Sequence, residues 1–150
     1  MRLRSQTQAA LRALLDLCLH SAYNTPVPVS DIARRQNLGT AFLEQLLRPL
    51  KKAGLVAPWR GMKGGYTLAR PAEELSLWDI LRALDEPLVR PMGPAEVDRA
   101  EAQAVVDAMG GIEVELETCL RRVSLADLRR RAQADPRLTD APRAGAGFQI

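Results

Sequence analysis

Cysteine, histidine and aromatic residues are all scarce in this chain, and each scarcity removes a class of function. Only two cysteines, Cys18 and Cys119, occur in 150 residues, and they form no Cys-x-x-Cys pair. Neither a disulfide framework nor a thiolate zinc site is therefore available. His20 is the single histidine. With no metal-spaced ligands and no nucleophile motif, the requirements of acid–base and nucleophilic catalysis are unmet, and the chain reads as a non-enzyme. Trp59 and Trp78 read as packing residues rather than ligand platforms. No N-terminal apolar run has signal-peptide form, and no uninterrupted span of about 18 apolar residues occurs, so a cytoplasmic protein without a membrane partner is expected.

What is present can bury one core. Hydrophobic residues make up 47% of the chain, enough for one compact domain with an extension. Charge is unevenly divided: residues 1–90 carry 13 basic and 8 acidic groups, residues 91–150 carry 8 and 10. An anionic partner is thus directed to the N-terminal part. Within it, residues 31–70 hold eight Lys or Arg against two acids, a local excess suited to phosphates.

Residues 30–68 read as a winged helix-turn-helix. Two short helices, VSDIARRQ and AFLEQLLR, flank Asn37-Leu38-Gly39, and a hairpin follows with its tip from Arg60 through Gly61, Met62, Lys63, Gly64 and Gly65 to Tyr66. On the second helix Phe42, Leu43, Leu46, Leu47 and Leu50 recur at three- and four-residue spacing, which gathers them on one buried face. Ala41, Glu44, Gln45 and Arg48 fall opposite, where they can meet base edges and phosphates in a major groove. Gly39 or Thr40 caps this helix, and Pro49 is expected to kink or end it near Arg48, after which a short helix can restart and stop at Gly54. The wing strands are expected at residues 55–59 and 66–69. A tip rich in glycine permits close backbone approach, with Arg60 leading into a minor groove. A phosphate-cradling P-loop is excluded, because no Gly-Lys-Ser or Gly-Lys-Thr follows and no helix starts at the tip.

Elements on either side complete the domain. Ser5 or Thr7 is expected to cap a first helix whose inner face is Ala10, Leu11, Leu14, Leu15, Cys18 and Leu19. Ser30 is expected to cap the next, with Arg34 and Arg35 turned to solvent or phosphate. Ser76, followed by Asp79, starts a helix that closes the domain near Asp85. The chain therefore divides into a winged helix-turn-helix domain at 1–85, a proline-rich linker at 86–95, dimerisation helices at 96–134 and a poorly ordered tail at 135–150. The fold class is mainly α with a small two-stranded wing.

In the third of these segments Val105, Met109, Ile112, Leu116, Cys119 and Val123 are spaced 4, 3, 4, 3, 4. That is the heptad spacing of one apolar seam, unbroken across Gly110-Gly111, so a single helix is expected there. A second subunit is its expected cover, giving a homodimer; packing against the chain's own domain is the other possibility. Ser124 with Asp127 caps a last helix, and Arg129, Arg130 and Arg131 form a solvated face near its end.

The blocks MRLRS, ALRALLDLCLH, VSDIARRQ, FLEQLLRPLKKAGLV, RGMKGGYTLARP, LSLWDILRALDEPL and VSLADL resemble the Rrf-two family of bacterial winged-helix transcription regulators, to about Leu128. The resemblance implies a homodimer that crosses its long C-terminal helices on a palindromic operator in double-stranded DNA. It places Thr40, Ala41, Glu44 and Gln45 at groove-reading positions, Arg60 to Gly65 in the wing, and Arg2, Arg4 and Ser5 on the DNA backbone. Cluster-binding members carry three cysteines in the segment corresponding to residues 86–104, where this chain has neither cysteine nor histidine. No iron–sulfur cluster is therefore expected, thiolates being the normal ligands. Met62-Lys63 and Gln6-Thr7-Gln8-Ala9 also depart from common family residues, so an operator sequence does not carry over. The expected function is a repressor, open to a small-molecule or protein effector. The alternatives are a protein-interaction module and a thiol switch through Cys18 or Cys119. Both cysteines are expected to be small buried hydrophobes, whereas a switch needs an exposed low-pKa thiolate.

Overall fold

The computed structural model describes residues 2–21, 25–62, 64–88 and 99–139. Helix α1 (Ser5–His20) runs through the middle of the N-terminal core, with α2 (Val29–Gln36), α3 (Thr40–Lys52), a later helix α6 (Leu125–Gln133) and the wing packed around it. Its small residues Ala9, Ala10 and Ala13 let these neighbours approach, and Leu14 and Leu17 are wholly buried between them. Arg4 stands at the N-cap with extended backbone, and no side chain caps the helix. Ser5 is exposed, and Thr7 is buried with its hydroxyl turned to Glu86. Likewise α2 begins one residue before Ser30, with Pro28 as its N-cap; its preset φ suits a helix start.

Helices α2, α3 and α4 (Leu77–Ala83) end in the same turn. A left-handed residue follows each helix: Asn37 at φ 54°, Gly54 at φ 72° and Asp85 at φ 50°. The next amide then reaches back five residues, as Leu38 to the Ala33 carbonyl, Leu55 to Leu50 and Glu86 to Leu81. This is the Schellman arrangement, which satisfies the last carbonyls of a helix and reverses the chain.

Of the kink or end expected at Pro49, the end does not occur: Pro49 lies inside α3. The helix continues to Lys52 because Leu43, Leu46, Leu47 and Leu50 are all buried on one face. Burying each leucine contributes roughly 1.5–3 kcal/mol, which offsets the roughly 3 kcal/mol cost of an interior proline. The Gln45 carbonyl left without its helical donor belongs to an exposed residue, where water can serve it.

Strands β1 (Val56–Trp59) and β2 (Gly65–Leu68) pair antiparallel, with Val56 opposite Leu68 and Trp59 opposite Gly65. The loop before α2 adds a third rail: Val27 and Tyr66 exchange backbone hydrogen bonds of 2.9 and 3.0 Å. The approach is so close that a Cβ on Gly65 would lie 2.2 Å from the Val27 carbonyl oxygen.

Past the wing, a 3-10 turn (Ala72–Glu74) leads to α4, whose Ser76 hydroxyl accepts from the Asp79 amide as expected. Helix α5 (Ala100–Arg121) runs without a break through Gly110-Gly111, also as expected. Val123 lies beyond its end: Val123 accepts from the Leu77 amide, and Leu125 donates to Leu75, so the chain after α5 is stitched to the start of α4. The Ser124–Asp127 capping box then starts α6. This helix sends Leu125 and Ala126 into the same core as Leu14, although it falls in the segment assigned to dimerisation. Residues 89–95 of the expected linker, and the tail from residue 140, lie outside the described residues; Pro136–Thr139 form a turn of helix, α7. Among the described residues no helix is long and apolar enough to cross a membrane.

Gly65→Ala must separate the wing from Val27. We expect it to lower unfolding stability by about 1–3 kcal/mol, the usual range for forced overpacking, measurable as a fall in the denaturant midpoint.

Candidate nucleic-acid interface

The leucine face of α3 is buried, and its other side is bare. Thr40, Ala41, Glu44, Gln45 and Arg48 are all exposed in one row, as the spacing predicts. The wing extends its basic and glycine-rich tip beside this domain: Arg60, Gly61 and Gly64 are exposed, Gly65 is half-buried, and Lys63 lies outside the described residues. Met62 is fully exposed at the tip and Trp59 half-exposed at its base. Trp59 is thus not the packing residue the sequence suggested. Gly65, grouped with the DNA contacts by resemblance, has a separate structural role against Val27.

The helix pair is held to α1 by a buried acid. Asp16, only 3% exposed, receives Arg35 Nε at 2.9 Å and Arg35 Nη2 at 2.6 Å on its two oxygens, with Gln36 Nε2 at 2.8 Å. Arg35 is thus engaged by Asp16 with its side chain still 29% exposed, while Arg34 is more open, in an exposed pair with Asp31 at 3.3 Å. The fork geometry of a guanidinium on a carboxylate fixes the orientation of α2 relative to α1.

Residues 3–131 match the Rrf2 family, described as an iron-dependent transcriptional regulator. The HTH-type transcriptional regulator IscR of Vibrio campbellii is 39% identical over 124 residues, covering 83% of this chain and 68% of that protein. IscR of Erwinia tasmaniensis is 38% identical over 131 residues, covering 87% and 70%. Among solved structures, T. potens IscR is similar with a TM-score of 0.67 at 31% identity, covering 88% of each chain. CymR, the global cysteine regulator of B. subtilis, gives 0.69 at 25% identity, covering 87% of this chain and 98% of its own. The chain belongs to the Rrf2 family. It is a winged-helix transcriptional regulator, and its relatives carry regulator names rather than enzyme names.

In this Rrf2 protein the N-terminal arm is held, not loose. Arg4 donates from its backbone N–H to Glu86 Oε1 at 3.1 Å and from Nε to Oε2 at 3.0 Å, and its Nη2 reaches the carbonyls of Leu84 and Asp85. Thr7 donates its hydroxyl to the same carboxylate. Burial alone would raise the Glu86 pKa, but these donors outweigh it and hold the carboxyl below its ordinary value. Arg2 and Ser5 are exposed, while the Arg4 side chain remains 48% exposed. Sequence reasoning placed Glu86 in the linker, took Thr7 for a possible helix cap and missed Asp16. The available signal for Asp16 was a lone acid inside the apolar run ALLDLCL, which demands a partner if buried.

The cysteines separate. Cys18 is buried in the core, as expected; burial pushes its thiol up although Arg129 Nη1 stands 3.8 Å from the sulfur. That thiol is unsuited to a switch. Cys119 is exposed on the single chain, not buried. The rest of its seam is similar: Val105 is 49% and Ile112 54% exposed, Met109 and Leu116 are half-buried, and Leu120 is the buried residue of α5. Val123, half-buried after the helix, belongs to the α5–α6 connection.

Two substitutions separate the halves of the buried ion pair. Arg35→Ala strands the Asp16 carboxylate in the interior and is expected to cost about 3–5 kcal/mol. Asp16→Asn leaves an arginine that can turn to solvent and should cost only about 1–3 kcal/mol by urea unfolding.

Proposed function

We propose that this chain is a cytoplasmic, homodimeric, sequence-specific repressor of transcription that binds a palindromic operator in double-stranded DNA. The observation that carries the reading is the bare row of Thr40, Ala41, Glu44, Gln45 and Arg48 on a helix whose other face is locked into the core, beside an exposed wing led by Arg60. Such a helix can enter a major groove with the wing, from Arg60 to Gly65, along the neighbouring minor groove. Arg2, Arg4 and Ser5 supply backbone contacts in this arrangement. Occupancy of the operator is the mode of repression in this reading, with a small-molecule or protein effector setting the occupancy.

The homodimer rests on the exposed apolar residues of α5. Val105 and Ile112 are open to water on one face of a 22-residue helix, and a second copy covers such a seam by the same residues about a two-fold axis. We further propose that regulation proceeds without an iron–sulfur cluster. Supporting this, the two cysteines are on different elements, one inside the core and one exposed on α5, and residues 86–104 contain no cysteine or histidine. This donor set does not fit a cluster.

Binding to DNA should weaken as salt rises. Arg48→Ala should lower affinity across sequences and reduce the slope of log K against log salt by about one. Gln45→Ala should instead change the preferred base at one position, by about 1–3 kcal/mol, read by selection from a randomised duplex library. A wild type whose binding ignores salt would sink the reading.

Ile112→Glu places a charge in the seam. Sedimentation should show monomer where the wild type is a dimer; an unchanged mass would mean that α5 is not the interface.

A further inference from the structure

The turns that end α2, α3 and α4 differ at one position. After α2 and α3 the residue beyond the left-handed one is leucine, Leu38 and Leu55, matching the apolar contact that commonly completes this turn. After α4 it is Glu86, a carboxylate with only 2% of its side chain exposed. A buried charge is costly where a leucine would serve, unless the charge holds something. What Glu86 holds is the arm ahead of α1: the Arg4 amide at 3.1 Å, Arg4 Nε at 3.0 Å and the Thr7 hydroxyl. With Nη2 on the carbonyls of Leu84 and Asp85, two of the three guanidinium nitrogens are engaged. Nη1 has no hydrogen-bond partner among the described residues, on a side chain that is half-exposed.

We propose that Glu86 is a positioning residue for DNA binding, holding Arg4 in one pose so that Nη1 is presented to a backbone phosphate. The proposal rests on the DNA reading above. An arginine fixed beforehand loses less side-chain freedom on binding than one that must be ordered by the duplex. Because Glu86 stands in the first turn after α4, the arm is also coupled to the segment that continues toward α5. Anything that displaces residues 86–88 releases Arg4.

The test uses the full chain and a mixed-sequence duplex of about 30 base pairs, since phosphate contacts are independent of sequence. Affinity is measured across a salt series for wild type, Arg4→Ala, Glu86→Ala, Glu86→Gln and the Arg4→Ala/Glu86→Ala double variant. Hydrogen exchange of the Arg4 amide is followed in the free proteins. Each single variant is expected to bind roughly three- to tenfold more weakly, with the salt slope reduced by about one, and the double variant no worse than either single. Both Glu86 variants should speed exchange at Arg4, and Glu86→Gln does so while conserving side-chain size. The proposal is overturned if Arg4→Ala flattens the slope but the Glu86 variants do not. It is equally overturned if they bind tighter with a steeper slope, because Glu86 then masks Arg4 rather than presenting it. A wild type that binds no duplex defeats the DNA reading and this role together; the exchange rates then report on the clasp alone.

Discussion

Helix α1 packs against α2, α3, α6 and the wing at once, and this constraint organises the rest of the molecule. Its open stripe keeps Gln8 and Arg12 in water, but its packed side contains Thr7 and Asp16, 2% and 3% exposed. Each must find a partner on a neighbouring element. Asp16 finds α2 through Arg35 and Gln36, and Thr7 finds the end of α4 through Glu86. The two polar contacts therefore act at opposite ends of one apolar rod. Between them Leu14 and Leu17 anchor the core to which α3 and α6 also contribute.

The helix α3 was legible because its pattern is strong: four leucines at helical spacing bury one face and leave a polar row on the other. Local capping chemistry was legible too, at Ser76 with Asp79 and at Ser124 with Asp127, because partner and cap lie three residues apart. What could not be read depended on distance along the chain. Arg35 is 19 residues from Asp16 and Arg4 is 82 from Glu86, so nothing local announces that these arginines are engaged. Pro49 misled for a related reason: its local cost is plain in the sequence, while the leucine burial that outweighs it appears only in the packed fold. Val123 fitted the seam by spacing alone, but its carbonyl is claimed by Leu77, past the helix end.

Helix α5 is joined to the winged domain at its C-terminal end. Arg121 lies over the Trp78 ring, 5.6 Å from its centre, and also pairs with Glu117 at 2.7 Å. The α6 residues Leu125 and Ala126 then enter the core beside α1. Movement of α5 relative to α4 would disturb Trp78, whose buried Nε1 has no hydrogen-bond partner among the described residues. The end of the long helix is thus held by the Arg121 contacts together with the backbone hydrogen bonds just beyond it, from Leu77 to Val123 and from Leu125 to Leu75.

The backbone pairing of Val27 with Tyr66 also fixes a distance. Because the same loop ends at Pro28, the N-cap of α2, the wing is wired to the start of the helix pair without an intervening hinge. The gap between α3 and the wing tip is then a property of the protein alone, like the opening of a caliper. In the proposed binding mode a duplex held by both would have to supply the matching groove width, and the stiffness of the DNA would then enter the energy of binding.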